Sequence, residues 1–278
     1  MKNTNHDQQL HNDVIETLRE TSRTFFIPIS LLVTELRETV ASAYLCMRAI
    51  DEIEDHPDLE PALKSKLLHN IGDVLQSAQY NKETFIKMFK PFENELPEVT
   101  LRLYDWISFC PDEIRVKVVE STAIMASGMG DWVDKDWQIQ SEADLDQYTY
   151  TVAGLVGVML TDIWKWYDGT EADKELGIGF GRGLQAVNIL RNYKEDAERG
   201  VSFFPDSYSL DDMFDYAHKN LSRAEEYVAS IETETIVNFC QIPLSLAHGT
   251  LKALVDGREK MTRDEVNETV NKVIKKTS

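Results

Sequence analysis

The sequence predicts an all-α fold in a single domain, and three observations carry that expectation. Apolar residues recur at helical spacing along most of the chain, alternating strand-type runs are scarce, and proline falls mostly between the periodic segments. Leu36, Val40, Ala43, Met47 and Ile50 mark one apolar stripe, and Leu184, Val187 and Leu190 mark another. Pro57, Pro61, Pro91, Pro97, Pro111, Pro205 and Pro243 read as punctuation, while Pro28 sits inside the apolar stretch FFIPISLL. No low-complexity linker, Gly/Ser tract or internal repeat breaks the pattern, so one domain is expected over residues 1–278, with about the first fifteen residues flexible.

Composition narrows the function classes. With 278 residues, 42% of them hydrophobic, the chain has ample material for a core. Asp and Glu number 48 against 29 Lys and Arg, a formal charge of -19, which argues against a nucleic-acid partner or an anionic-membrane footprint. An anionic small substrate would need local arginines or bound cations to overcome this field. Cys46, Cys110 and Cys240 are widely separated and lack CxxC spacing, which suits a reducing compartment. The first residues, MKNTNHDQQLHNDV, are too polar for a signal peptide, the longest apolar run is Val152 to Leu160, and KVIKKTS carries no anchor. A cytoplasmic location with at most peripheral membrane contact is the expectation.

Candidate chemistry begins in YLCMRAIDEIED, residues 44–55. Read as helix, it stacks Tyr44, Arg48, Asp51 and Asp55 on one side, beside the apolar stripe. Carboxylates at i and i+4 repel by about 3 kcal/mol at an effective dielectric near 20, a cost that a cation removes. His56 precedes Pro57 and so disfavours the α region, which ends the helix near Asp55 and puts both aspartates at the negative end of its dipole. Asp211 and Asp215 share the same spacing, but Ser209 followed by Asp212 reads as an ordinary helix start.

A second helix, from about Leu176 to Asp196, places Gln185, Asn188, Asn192 and Asp196 down one face with Arg191 beside it. A merely solvated amide face is the competing reading of this second segment. Two helices that each offer an i, i+4 oxygen pair and an arginine suit a hard cation such as Mg²⁺ together with a phosphate-bearing substrate. In YTVAGLVGVML, the small residues Ala153, Gly154 and Gly157 provide either close helix packing or room for a ligand chain. His56, His218 and His248 are isolated and read as surface or packing residues.

In order along the chain, SRTFF at 22–26, Y-x-x-x-R-x-x-D-x-x-x-D at 44–55, YTVAGLVG at 150–157 and LQAVNILRNYKED at 184–196 resemble the squalene and phytoene synthase family, the head-to-head trans-isoprenyl diphosphate synthases. The likeness runs to FFP at 203–205 and thins beyond it. It implies an all-α isoprenoid synthase fold with helices around a central cavity, and Mg²⁺ linking two acidic motifs to a prenyl diphosphate such as farnesyl diphosphate. By position it implies metal ligation by Asp51, Asp55, Asn192 and Asp196. Ser22, Arg23, Arg48 and Arg191 would hold the diphosphate, and Tyr44, Tyr150, Gln185 and Asn188 would line the reacting region. Asp51, Asp55, Tyr44 and Tyr150 are then the catalytic candidates. Some members reduce the coupled product with NADPH; no GxGxxG fingerprint is present, and NADPH-using members lack one as well.

Two positions depart from the family pattern. Asn192 stands where the second motif normally has aspartate, and Val201 where many relatives carry arginine. Both changes lower the charge available for metal or phosphate. Head-to-head coupling follows from the extent of the likeness, whereas cyclisation or water capture by a single substrate follows from these two departures. A non-catalytic helical binding protein is the third reading, opposed by the intact Asp51/Asp55 pair.

Overall fold

Helix is the only regular secondary structure among the described residues, which are 4–22, 24–77, 79–198 and 200–276 of the computed structural model. They form two compact units, Met1–Asp136 and Trp137–Ser278.

The first unit contains α1 (Thr4–Thr21), α2 (Phe26–Ser30), α3 (Thr34–Glu54), α4 (Pro61–Gln76), α5 (Lys82–Phe89), α6 (Glu98–Leu101), α7 (Leu103–Phe109) and α8 (Asp112–Asp134). Helix begins at Thr4, inside the stretch read as flexible, and Val14 and Leu18 of α1 are fully buried. α3 is the axis of this unit and packs against α1, α4, α6, α7 and α8. The apolar stripe Leu36, Val40, Ala43, Met47 and Ile50 is buried along its whole length, which accounts for the stability of the helix better than its propensity does. Polar groups that enter this core are satisfied: Ser42 Oγ donates to the Trp106 carbonyl at 2.8 Å, and Thr100 Oγ1 donates to the Ala49 carbonyl at 2.8 Å. Pro28 lies within α2, in its first turn, where a missing N–H costs little.

The second unit contains α9 (Glu142–Thr149), a π-helical turn (Tyr150–Gly154), α10 (Leu155–Asp168), α11 (Lys174–Glu198), α12 (Leu210–Ala229), α13 (Glu234–Val255) and α14 (Arg263–Lys276). Capping boxes start α9 at Ser141/Asp144 and α12 at Ser209/Asp212, so Asp211 and Asp215 are exposed residues of an ordinary helix start. Pro243 corrects the reading of proline as punctuation, because it lies inside α13 and is buried there. Packing of the same helix against Val270 and Val273 of α14 through Ile242 offsets the local penalty of about 3 kcal/mol. No helix among the described residues is long and apolar enough to cross a membrane.

The run GIGFGRG at 177–183 gives α11 an unusual start. Interior glycines cost about 0.5 to 1 kcal/mol each relative to alanine, so this density requires a packing reason. Gly177 and Gly181 face α10 and the π turn. A Cβ on Gly181 would come within 2.2 Å of the Ala153 carbonyl oxygen, and one on Gly157 within 1.9 Å of the Gly177 carbonyl oxygen. Gly179 and Gly183 lie two residues on in each case, hence on the opposite face, against Arg223 and Leu221 of α12. α11 is therefore clasped backbone-close on two sides. The small residues of YTVAGLVG serve this packing, and their alignment with the glycines fixes the depth at which the polar part of α11 sits.

Replacement of Gly157 by alanine is expected to cost about 2 kcal/mol or more, because the atom in the way is backbone and cannot rotate aside. A thermal melt that left the midpoint unchanged would show that α10 and α11 separate at little cost.

Candidate active site

Five of the predicted residues lie in the first unit, Ser22 just after α1 and Tyr44, Arg48, Asp51 and Asp55 along α3 and its C-cap. Ser22, buried just after α1, accepts a hydrogen bond from the Phe25 amide at 2.9 Å. Tyr44 donates its hydroxyl proton to the Thr21 carbonyl at 3.0 Å. Burial raises the Tyr44 hydroxyl above its usual range, opposed by a hydrogen bond with Ser22 and by the charge of Arg48. Arg23 lies outside the described residues.

One turn below, Arg48 divides its guanidinium between Asp51, at 2.6 Å, and Glu52. Its Nε is buried without a hydrogen-bond partner. Asp51 is half-buried and its carboxyl is pushed up to about 7, first by burial and then by repulsion from Asp55, with Arg48 pulling the other way. Asp55 caps the helix, its amide donating to the Asp51 carbonyl at 2.9 Å. Lys64 of α4 is buried and donates to the Glu54 carbonyl at 2.7 Å, a cationic cap on the negative end of α3. His56 holds the following turn: its Nδ1 accepts from the Asp58 and Leu59 amides at 3.2 Å, which leaves Nε2 as the donor to the Glu95 carbonyl at 3.1 Å. The chain beside Asp51 and Asp55 is thus pinned on both sides, and the two carboxylates cannot relax apart by local unwinding.

This pair fits a hard cation. Its oxygens are carboxylate oxygens, its own repulsion resists full ionisation, and a positive charge would relieve both burial and repulsion. Among the described residues no group of three or more His, Cys, Asp or Glu side chains is placed to hold a metal ion. A cation here would therefore complete its coordination with water or substrate oxygens.

The remaining predicted residues lie in the second unit on α11 and the π turn. Gln185, Asn188 and Asn192 are half-buried and Arg191 is exposed. Arg191 donates from Nη2 to Asn188 Oδ1 at 2.7 Å and from Nε to Asn192 Oδ1 at 3.1 Å, while Asn192 Nδ2 approaches Asn188 Oδ1 at 3.4 Å. Asp196 is only 6% exposed and lines a recess of about 110 Å³ with Tyr193, Val201, Phe203 and Phe204. The Val201 amide donates to the Asp196 carbonyl at 2.9 Å, and Phe203 stacks on Tyr148 at 4.9 Å, so residues 201–204 fold back over Asp196. The predicted quartet is divided accordingly: Asn188 and Asn192 form a network with Arg191, and Asp196 lies under the following strap. At this second pair the residues do not fit a cation as those of the first pair do.

Tyr150 opens the π turn, half-buried. Its base is tied down by Tyr216 of α12, which shares a hydrogen bond with Thr149 at 3.0 Å and donates to Asp146 Oδ1 at 2.8 Å, while Arg182 Nη2 donates to the Asp146 carbonyl at 2.9 Å. Sequence reasoning missed Glu52, Lys64 and this Asp146–Tyr216 link. Glu52 was in view as the i+4 partner of Arg48; the other two depend on contacts between distant segments, for which the sequence carries no periodic signal.

Linkage gives a sign to the strain at Asp51. A carboxyl held near 7 in the folded state but at its ordinary 3.8 in the unfolded chain keeps its proton longer when folded, so its ionisation lowers stability progressively from about pH 4 to pH 7. Asp51→Asn is therefore expected to raise the melting temperature of the metal-free protein, with a larger gain at pH 8 than at pH 4.5. An equal or smaller gain at pH 8 would mean that Asp55 and burial place no such load on Asp51.

The squalene/phytoene synthase family matches residues 18–209. The chain is similar to squalene synthase of Bos taurus, 27% identical over 87% of this chain and 63% of that protein. Squalene synthase ERG9 of Saccharomyces cerevisiae is 30% identical over 88% of this chain and 61% of that protein. The chain thus spans less than two thirds of the length of these relatives. Among solved structures, TcSQS in complex with the ligand BPH1237 superposes with a TM-score of 0.77 at 23% identity, over 95% of this chain and 86% of that one. A dehydrosqualene synthase in complex with ligand gives 0.59 at 16% identity, over 98% and 97%. The fold is the all-α isoprenoid synthase fold of these structures. A family match covering more than half of the residues decides membership, and the chain belongs to the squalene/phytoene synthase family.

Proposed function

We propose that this protein ionises a prenyl diphosphate, farnesyl diphosphate by preference, and joins two such molecules head to head, with Mg²⁺ as the cation. The observation that carries the reading is the Asp51/Asp55 pair, two carboxylates whose mutual repulsion calls for a cation, on a chain similar in sequence to squalene synthases.

Asp51 and Asp55 would hold Mg²⁺, which supplies Lewis-acid stabilisation of the charge that builds on the departing diphosphate. That diphosphate leaves with the electron pair of the C1–O bond and about three negative charges, so preorganised donors matter more here than proton transfer. Arg48 is held at a fixed angle by Asp51 and Glu52 and brings its guanidinium to the phosphate oxygens. By the family likeness, Ser22 and Arg23 would add to these donors, and Arg191 would supply a further guanidinium. Tyr44 and Tyr150 would offer aromatic faces to the allylic cation, and the hydrogen bond from Tyr44 to the Thr21 carbonyl keeps the Tyr44 ring in one orientation. A single-substrate outcome, giving a cyclised hydrocarbon or farnesol, is the second reading. It is favoured by the engagement of Asn192 with Arg191, which leaves α11 without a ready metal pair.

Incubation with farnesyl diphosphate and Mg²⁺ is expected to release pyrophosphate and yield a product of twice the substrate's carbon number, read by mass spectrometry of an organic extract. Cyclised or hydrolysed monomer would favour the second reading, and no release from geranyl, farnesyl or geranylgeranyl diphosphate would overturn both. Asp51→Asn should lower turnover by about 100-fold or more, and Asn192→Ala by about 10-fold or less; equal losses would contradict the roles assigned to the two pairs.

A further inference from the structure

We infer that Asn192 is a positioning residue for Arg191 and not a metal ligand, so that α11 contacts phosphate oxygens through a guanidinium that forms no ion pair among the described residues. The inference rests on the prenyl diphosphate reading above and assigns the second helix a different chemistry from the first.

Three observations support it. A guanidinium only donates, so the contacts of Nε with Asn192 Oδ1 and of Nη2 with Asn188 Oδ1 turn both amide oxygens toward Arg191. The oxygen that a hard cation would need from Asn192 is the one already engaged. Asp196, the other half of the pair, is buried and lines a recess with Val201, Phe203 and Phe204. Finally, Arg48 of the first unit and Arg191 of the second are held in opposite ways. Arg48 is gripped by two carboxylates, whereas Arg191 is gripped by two amides and makes no ion pair among the described residues.

The difference is electrostatic. A carboxylate at position 192 could fix the guanidinium in the same place, but it would neutralise it. An amide carbonyl fixes the geometry and leaves the full positive charge, with three of the five N–H groups still directed elsewhere. In a chain with a formal charge of -19, such a residue is a local attractor for an anion. Asparagine at 192 is then a functional choice: it gives up a metal ligand and gains an unneutralised cation for direct phosphate contact.

The test uses calorimetric titration of the full chain with inorganic pyrophosphate, once in EDTA and once in Mg²⁺. The unsubstituted protein is expected to bind pyrophosphate without metal, and Arg191→Gln to abolish most of that binding. Asn192→Ala, which changes no charge, should weaken metal-free binding about 3- to 10-fold, the worth of one positioning hydrogen bond. It should weaken binding in Mg²⁺ by the same factor, and should have no further effect in the Arg191→Gln background. Asn188→Ala is expected to behave likewise, with far-UV circular dichroism checking that each variant folds. Three results would overturn the inference: binding only when Mg²⁺ is present, a loss on Asn192→Ala confined to the Mg²⁺ titration, or a loss that persists without Arg191. Turnover of farnesyl diphosphate is assayed separately; its absence would sink the proposed reaction while leaving these titrations to decide the role of Asn192.

Discussion

Two carboxylates crowded at the negative end of a buried helix set the terms for the first unit. Asp51 ionises against burial and against Asp55, and Arg48 offsets only part of that cost. Ordinarily a helix end relieves such crowding by fraying. Here Lys64 caps the Glu54 carbonyl, His56 ties the turn to Glu95, and the stripe from Leu36 to Ile50 is packed without slack. Held in this way, the repulsion becomes a standing affinity for positive charge. This is preorganisation achieved through destabilisation, the pattern by which a functional site draws on stability supplied elsewhere in the fold.

The second unit reaches a polar helix face by another route. α11 begins with glycines that let its backbone touch α10 on one side and α12 on the other, and its later turns carry amides around Arg191. Close backbone packing makes the helix rigid where the polar residues need an exact register, and the π turn at Tyr150–Gly154 adapts α9 to the same contact. Beyond Asp196 the chain turns back, and the stack of Phe203 on Tyr148 holds that strap in place. The two arginine clusters thus differ in the charge of their holders, carboxylates around Arg48 and amides around Arg191.

Much of the site was legible because it lies on single helices. Tyr44, Arg48, Asp51 and Asp55 follow i, i+3 and i+4 spacing, and any helix over 44–55 must stack them. Their proximity needed no tertiary information, and the end of the helix before Pro57 followed from local sterics. The same reasoning placed Asp196 in line with Asn188 and Asn192, but angular position alone does not say what lies over a residue. Asp196 is buried and shares a recess with residues 201–204, a segment without periodicity in which Phe203 stacks on Tyr148. Lys64 was invisible for a related reason, since nothing in α4 alone distinguishes a capping lysine from a solvated one.

The sequence by itself determined the helical class, the course of α3, the ordinary start of α12 and the family, because periodicity, capping chemistry and ordered motifs are local properties that hold in any context. Only the tertiary structure decided which backbones touch and which side chains are covered. Whether Pro243 interrupts a helix, and whether the glycines of YTVAGLVG make room for a ligand or for α11, are settled by neighbours distant in the chain. Such neighbours act through steric contact and hydrogen-bond partnership, and no spacing rule encodes either.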